Sequence, residues 1–340
     1  MIETISVRNF RSLRDLRVRL ERFTVFVGPN GSGKSSVLQA LDALCRAFHF
    51  VPDNGEIYQA LSRGAKGPVE ITAHATDMWY RHRSQIVEHN GAITALPALE
   101  AASQIDSAAW RPWPAEENQH IPLPKAVLLR LAAHNLMSSS FNPADNTTIS
   151  PDGIGLHAAL ASMALNEPDT WQVFQNDVKG IIPTIRRLRH AKMASGQVPA
   201  LQFDMVGADS LGADQMSEGT LLVLGLLTAL YAPDRPNLIL LDDLDRGLHP
   251  KAQQDVIALL RRLLDRNPDL QLVATTHSPY LLNWMQPEEV RMTCLREDGS
   301  TVCAPIGTHP QFNKWKDEMA PGEMWSLFGE RWLVEQGAAV

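Results

Sequence analysis

The stretch Phe26–Ser36, FVGPNGSGKSS, constrains the fold more than any other part of the chain. Glycine and small residues fill Gly28 to Gly33, because a backbone that curls until successive N–H groups point inward at a polyphosphate has no room for side chains. Lys34 follows where an ammonium reaches β and γ oxygens, and Ser35 where a hydroxyl can ligate Mg²⁺. A helix that begins here aims its positive end at the anion. Asn30, Gly31, Ser32, Gly33, Lys34, Ser35 and Ser36 are therefore the candidate phosphate-binding residues, with the polyphosphate of a nucleotide and Mg²⁺ as the expected ligands.

The flanks supply the context such a loop needs. Upstream, FTVFV (Phe23 to Val27) is a short apolar run rich in β-branched residues. Downstream, Val37, Leu38, Leu41, Leu44, Cys45 and Phe48 recur at helical spacing. The order is strand, glycine loop, helix.

A chain of 340 residues, 44% hydrophobic and 20% charged, can bury a large core, as one domain with an insertion or as two lobes. A net charge of −7 excludes a surface that is basic all over and leaves room for a local basic patch. Cys45, Cys294 and Cys303 lack the spacing of a zinc site or a disulfide framework, which fits a reduced, cytoplasmic setting. The longest apolar run, Leu221 to Ala232, is too short to cross a bilayer, and no leader opens the chain, so no membrane partner is expected.

The first 28 residues alternate as two or three strands of a sheet ending in the phosphate loop, and PVEITAHAT (Pro68 to Thr76) reads as another strand. From about Asp77 the texture changes, with scattered tryptophans and then the more helical Gly153 to Ile182. After Gln202, LILL and LQLVATT alternate with helices from Gly219 to Tyr231 and from Pro250 to Leu264, which is α/β texture. The expected organisation is an N-terminal lobe at 1–76, an inserted lobe at 77–202 and a C-terminal lobe at 203–340.

Three further motifs bear on the loop. LILLDDLDRGLHP delivers Asp242 at the end of a buried strand, where a carboxylate can hold Mg²⁺, and Asp243 next to it, where one can orient or deprotonate water. The same run contains Asp243-Leu-Asp245, a pattern that a two-metal nuclease of the Toprim type also uses, although no acidic residue at another strand end completes it. MSEGT places Ser217, Glu218 and Gly219 at a helix start, able to offer N–H groups and a hydroxyl to an anion, or simply to cap the helix. In VATTHSPYLL, His277 leaves a strand where it can hydrogen-bond a γ-phosphate or the attacking water.

Taken in order, GPNGSGKSS, MSEGT, LLDDLDRGLHP and TTHSPYLL resemble the Walker A, signature, Walker B with D-loop, and switch-histidine motifs of ABC-type ATPases of the SMC and RecF group. ISVRNFRSL, GLHP, SPDGIGLHAAL and PGEMWSLFGERWL are similar to the standalone bacterial ATPases related to overcoming-lysogenization-defect (OLD) proteins. The resemblance implies an α/β P-loop head with a mostly parallel central sheet, an antiparallel N-terminal β part and a mostly helical insertion. It implies two heads closing on ATP into a homodimer, or a higher oligomer built from such pairs. Ser217, Glu218 and Gly219 of one head would then complete the γ-phosphate site of the other, and catalysis would rest on Lys34, Asp243 and His277 with Ser35 and Asp242 at the metal.

This sequence departs from the family in two places: Asp243 and Asp245 stand where Glu is usual, and no Q-loop glutamine is evident, with Gln85, Gln104 and Gln119 the candidates. The implied role is a switch in DNA-related or anti-phage defence. The chain ends soon after FGERWL, so a nuclease effector is expected on a separate partner, docked on the tail aromatics Trp315, Trp325, Phe328 and Trp332 unless these pack inward. DNA contact would fall on the arginines between Arg8 and Arg22 or on IRRLRHAK (Ile185 to Lys192), and Arg11 is the family's candidate to face nucleotide. A transporter ATPase subunit would show LSGGQ and a clear Q-loop. A repair or SMC tether would show heptads between the motif halves, and a kinase or GTPase would leave Ser217 and His277 without a task.

Overall fold

The alternation that opens the chain becomes a hairpin in which Ile5 and Val7 of β1 (Ile2–Phe10) and Leu13, Leu16 and Val18 of β2 (Leu13–Arg19) face the core. The protein is described by a computed structural model at residues 1–49, 67–75, 78–89, 92–103, 110–112, 123–139, 147–191 and 200–335. The chain forms two compact units, one of Met1–Leu128, Pro236–Leu244 and Asn267–Val340, the other of Leu129–Arg235 and Asp245–Arg266.

The first unit holds two six-stranded sheets. Every residue of β3 (Phe23–Val27) is buried, as expected for a strand covered on both faces. The hairpin β1–β2 pairs with β4 (Val69–Ala75), which continues into β5 (Met78–His89), β6 (Ala92–Ser103) and the short β7 (Arg111–Pro112), antiparallel throughout. The other sheet also takes in β8 (Ala126–Leu129). The second unit contributes β9 (Ile185–Ala191), β10 (Ala200–Met205) and β11 (Ala208–Gly212), an antiparallel sheet of its own. With β12 (Leu238–Leu241), β13 (Gln271–Thr276), β14 (Val290–Leu295) and β15 (Thr301–Pro305), the second sheet of the first unit runs β15-β14-β3-β13-β12-β8. In it β14, β3, β13 and β12 are parallel neighbours and β15 is antiparallel.

This is the expected α/β head with a mostly parallel central sheet and an antiparallel N-terminal part. One detail differs: β1 and β2 do not share a sheet with β3. Their antiparallel ladder extends to β4, whereas β3 finds parallel partners far along the sequence in β13 and β14. Between the sheets the helix Lys34–His49 buries Val37, Leu38, Leu41, Leu44, Cys45 and Phe48, within a core that includes Ile5, Val7, Phe26, Ile71, Tyr80 and Val273.

The second unit is built around the helix Glu218–Tyr231, eleven of whose residues are buried. It touches the helices Ala133–Met137, Leu156–Asn166 and Pro168–Ile181, and the last of these also touches the helix Pro250–Arg266. The units cut the chain differently from lobes at 1–76, 77–202 and 203–340. Strands β5 and β6 extend the sheet of the first unit, and Asp245–Arg266 falls within the second. Among the described residues, no helix is long and apolar enough to cross a membrane.

Candidate functional site

The phosphate loop leaves β3 at Gly28, and its helix starts at Lys34. The Lys34 side chain is buried and its ammonium donates to the carbonyls of Gly28 and Pro29, both at 2.9 Å, so the cation is held over the loop's own backbone. Asn30 and Gly31 are exposed, Ser32 and Gly33 are buried, and Ser35 and Ser36 are half-buried. Gly31 has φ +77°, and a Cβ built there would meet no atom within 4 Å. Among the described residues none comes within 4 Å of that Cβ, which lies on the side an anion would approach.

The back of the loop is braced from the end of the chain. The Ser32 hydroxyl lies 2.6 Å from that of Thr293 on β14, and Thr301 on β15 donates to the Ser32 carbonyl at 3.0 Å. Ser12, in the turn between β1 and β2, joins the same network through Thr301, their hydroxyls lying 2.8 Å apart. Arg11 precedes it with a left-handed backbone, φ +53°, and its guanidinium stands 5.9 Å from the Phe10 ring.

Strand β12 ends at Leu241, so Asp242 emerges beside the phosphate loop, where its Oδ1 accepts from the Ser35 hydroxyl at 2.8 Å. A hydroxyl and a carboxylate so close form the hard-oxygen pair that Mg²⁺ favours, so these residues fit the ion. Asp243 is exposed, with φ +58°, and its Oδ1 lies 3.8 Å from Nε2 of the exposed His277. Lys34, Ser35, Asp242, Asp243 and His277 thus converge at the carboxyl ends of β3, β12 and β13, the edge at which open α/β sheets bind ligands. Thr275 lies beneath them, fully buried on β13 and hydrogen-bonded to the Asp242 carboxylate. Sequence reading passed over it, although a pair of threonines ending an apolar strand was a visible signal.

Ser217, Glu218 and Gly219 belong to the second unit. Ser217 caps its helix by accepting from the N–H of Thr220 at 3.2 Å, and Glu218 pairs with Arg246 at 2.6 Å. Gly219 has an internal reason to be glycine: a Cβ there would come within 2.2 Å of the Gly247 carbonyl. The helix start MSEGT and the turn DRGLHP are therefore packed together within that unit. Gln85 lies on β5, but its side chain, Gln104 and Gln119 are outside the described residues.

Three of the four tail aromatics engage neighbouring side chains. Trp332 is buried, Phe328 and Trp332 pack on His309 at ring distances of 4.8 and 5.2 Å, and Trp325 donates to Glu330. The exposed apolar side chains nearby are Tyr280, Trp284 and Leu327 instead. Much of the basic charge is matched: Arg8 pairs with Asp15, Arg14 with Asp298, Arg186 with Asp209 and Arg189 with Asp204. The hydrogen bond from Arg189 holds the Asp204 carboxyl below its ordinary range.

The fold and this convergence define a P-loop nucleotide-binding ATPase. Residues 1–95 match a model described as an AAA ATPase domain, and residues 118–283 match one described as an AAA domain, putative AbiEii toxin, Type IV TA system. The chain is 23% identical over 331 residues to a Septu protein PtuA of Bacillus mycoides (strain KBAB4), covering 87% of this chain and 41% of that protein. It thus spans less than half of that relative's length. A stretch of 42 residues, 12% of this chain and 8% of the relative, is 45% identical to an OLD nuclease of Thermus scotoductus (strain ATCC 700910 / SA-01). In fold the chain is similar to an SMC head crystallised with the C-winged helix domain of ScpA, with a TM-score of 0.55 and 14% identity over 89% of this chain and 97% of that one. The chain is thus an ATPase that matches AAA-type ATPase domain models over residues 1–95 and 118–283 and shares its fold with an SMC head.

Proposed function

We propose that this chain is a cytoplasmic, ATP-driven dimerisation switch in DNA-related or anti-phage defence, acting with a separate effector such as a nuclease. The observation that carries the catalytic part is the meeting of Ser35, Asp242, Asp243 and His277 beside the buried Lys34. The residues from Asn30 to Ser36 bind the phosphates through backbone N–H groups and the Lys34 ammonium. Ser35 and Asp242 would hold Mg²⁺, which when bound supplies positive charge to the β and γ oxygens. Asp243 orients water for attack and His277 steadies it, and the 3.8 Å between their side chains leaves them close without a direct hydrogen bond.

The two-head part rests on Ser217 and Glu218, which stand exposed at the start of their helix. In a closed dimer this helix start would meet the γ-phosphate held by the partner head, and hydrolysis would remove the charge that favours closure. The relatives named Septu protein PtuA and OLD nuclease support the defence reading. The deciding experiment is ATP hydrolysis per subunit as protein concentration rises, with and without double-stranded DNA at low salt. A rate per subunit that climbs with concentration and with DNA is expected. A flat, DNA-indifferent rate would remove the two-head model and DNA as direct trigger.

A further inference from the structure

The turn that carries Asp242 and Asp243 is held by one side chain with no role yet in the reaction. Thr275 is fully buried near the end of β13, where an apolar residue would be the default for a covered strand. Its hydroxyl accepts from the N–H of Asp243 at 2.8 Å and donates to Oδ1 of Asp242 at 2.9 Å. Its carbonyl accepts from the N–H of Leu244 at 2.9 Å. Three consecutive residues of the acidic turn are thereby tied to one threonine.

Two features of the turn need such an anchor. Asp243 adopts φ +58°, a left-handed conformation that a residue with a Cβ holds only against a steric cost. A hydrogen bond to its own N–H opposes relaxation of that conformation, and the conformation brings its carboxylate to 3.8 Å from His277. Asp242 Oδ1 accepts from both Ser35 and Thr275, so the rotation of this carboxylate is set from two sides.

We infer that Thr275 is a positioning residue for ATP hydrolysis: its hydroxyl fixes the Asp242 carboxylate toward Ser35 and locks Asp243 in the left-handed turn that faces His277. It touches neither substrate nor water and acts through both aspartates. The inference rests on the reading of this site as the hydrolytic one, but the anchoring itself is testable without nucleotide.

The test compares Thr275→Val, which keeps the β-branched shape and removes the hydroxyl, with Thr275→Ser, which keeps the hydroxyl. The first readout is amide hydrogen exchange across residues 242–245 in the nucleotide-free full chain; the second is kcat and KM for ATP at saturating Mg²⁺. In the valine variant, exchange of the Asp243 amide should rise about tenfold or more and kcat should fall on the order of 10- to 100-fold, with KM within about threefold. The serine variant should restore both.

Unchanged exchange in the valine variant would overturn the anchor, because the turn would not depend on the hydroxyl. Faster exchange with parental kcat would overturn the catalytic part, and so would a serine variant as slow as the valine one. Thr275→Cys, close in size with a weak donor and acceptor, is read in the same way if the valine chain does not fold.

Discussion

Gly31 and Gly219 look alike in the sequence, each a small residue at the mouth of a helix that is expected to meet phosphate, yet the structure gives them opposite surroundings. Around Gly31 the described residues provide no atom within 4 Å of a built Cβ, while behind it the loop is braced by Thr293 and Thr301. Gly219 instead sits against the Gly247 backbone, and its neighbours Ser217 and Glu218 are already engaged with Thr220 and Arg246. The first region is open toward a ligand. The second is finished within its own unit and presents only an outer polar edge. Glycine by itself does not distinguish a binding surface from a packing constraint.

The sharpest break of this comparison is Lys34→Ala. Removing the ammonium held over the loop should cost on the order of 10²- to 10³-fold in ATP hydrolysis and abolish measurable Mg-ATP binding by calorimetry. Binding equal to the parent would mean that the loop is not the phosphate site. Next in size is Ser217→Arg, which puts a bulky cation on the outer edge of the second region. If that edge meets nucleotide only in a closed dimer, this variant keeps single-head ATP affinity within about twofold. It should also lose on the order of tenfold or more of the concentration-dependent hydrolysis. Sedimentation with ATP that still shows a dimer would end the signature role of this helix start.

The two glycines also separate in stability. Gly219→Ala forces a Cβ to within 2.2 Å of a carbonyl oxygen and should cost about 1–3 kcal/mol in the nucleotide-free protein. Gly31→Ala meets no atom of the described residues within 4 Å and carries only the left-handed backbone cost of about 1–2 kcal/mol, with its main effect on nucleotide affinity. Thermal unfolding of both variants, with and without Mg-ATP, reads the difference. Equal shifts in the two states for both variants would erase the distinction between the two glycines.

What the sequence disclosed follows the same division. Strand, glycine loop and helix were legible from Phe23 to Phe48 because each link uses a local signal: β-branched runs, φ-permissive residues and helical spacing. The strand ends carrying Asp242 and His277 were equally local. Pairing was not legible, since nothing between Ile2 and Gly28 states that β1 and β2 join β4 while β3 waits for β13 and β14. The second unit was illegible for the same reason, because it is assembled from two separated stretches of chain. Thr275 was missed because its work lies in contacts to residues more than thirty positions earlier. The tail aromatics were ambiguous because Trp325, Phe328 and Trp332 follow one another at spacings that suit either an outer face or the inward packing they adopt on His309 and Glu330.

The smallest expected effect concerns acid, and it compares the two units directly. Burial pushes His82 of the first unit down to about 4, and His157 of the second also to about 4, where the neighbouring His190 adds repulsion. His190 is itself lowered by burial. In each case the folded chain binds its proton less readily than the unfolded chain, whose histidines titrate near 6.5. The stabilisation is therefore fully present above about pH 6.5 and is lost as pH falls toward 4. By pH 5.5 each of the two most shifted groups should cost about 1 kcal/mol.

The second unit carries two such histidines, and His157 also accepts the N–H of Leu201 at 3.2 Å, so protonation there also breaks a hydrogen bond that ties β10 to the helix Leu156–Asn166. Amide exchange at pH 7.5 and 5.5, corrected for the intrinsic pH dependence, should show β9 and β10 losing protection before β5. Protection lost first in β5 would place the acid-sensitive element in the first unit. ATP hydrolysis would then fail together with the fold as pH falls, whereas the order expected here loosens the second unit while the Lys34 site still binds nucleotide.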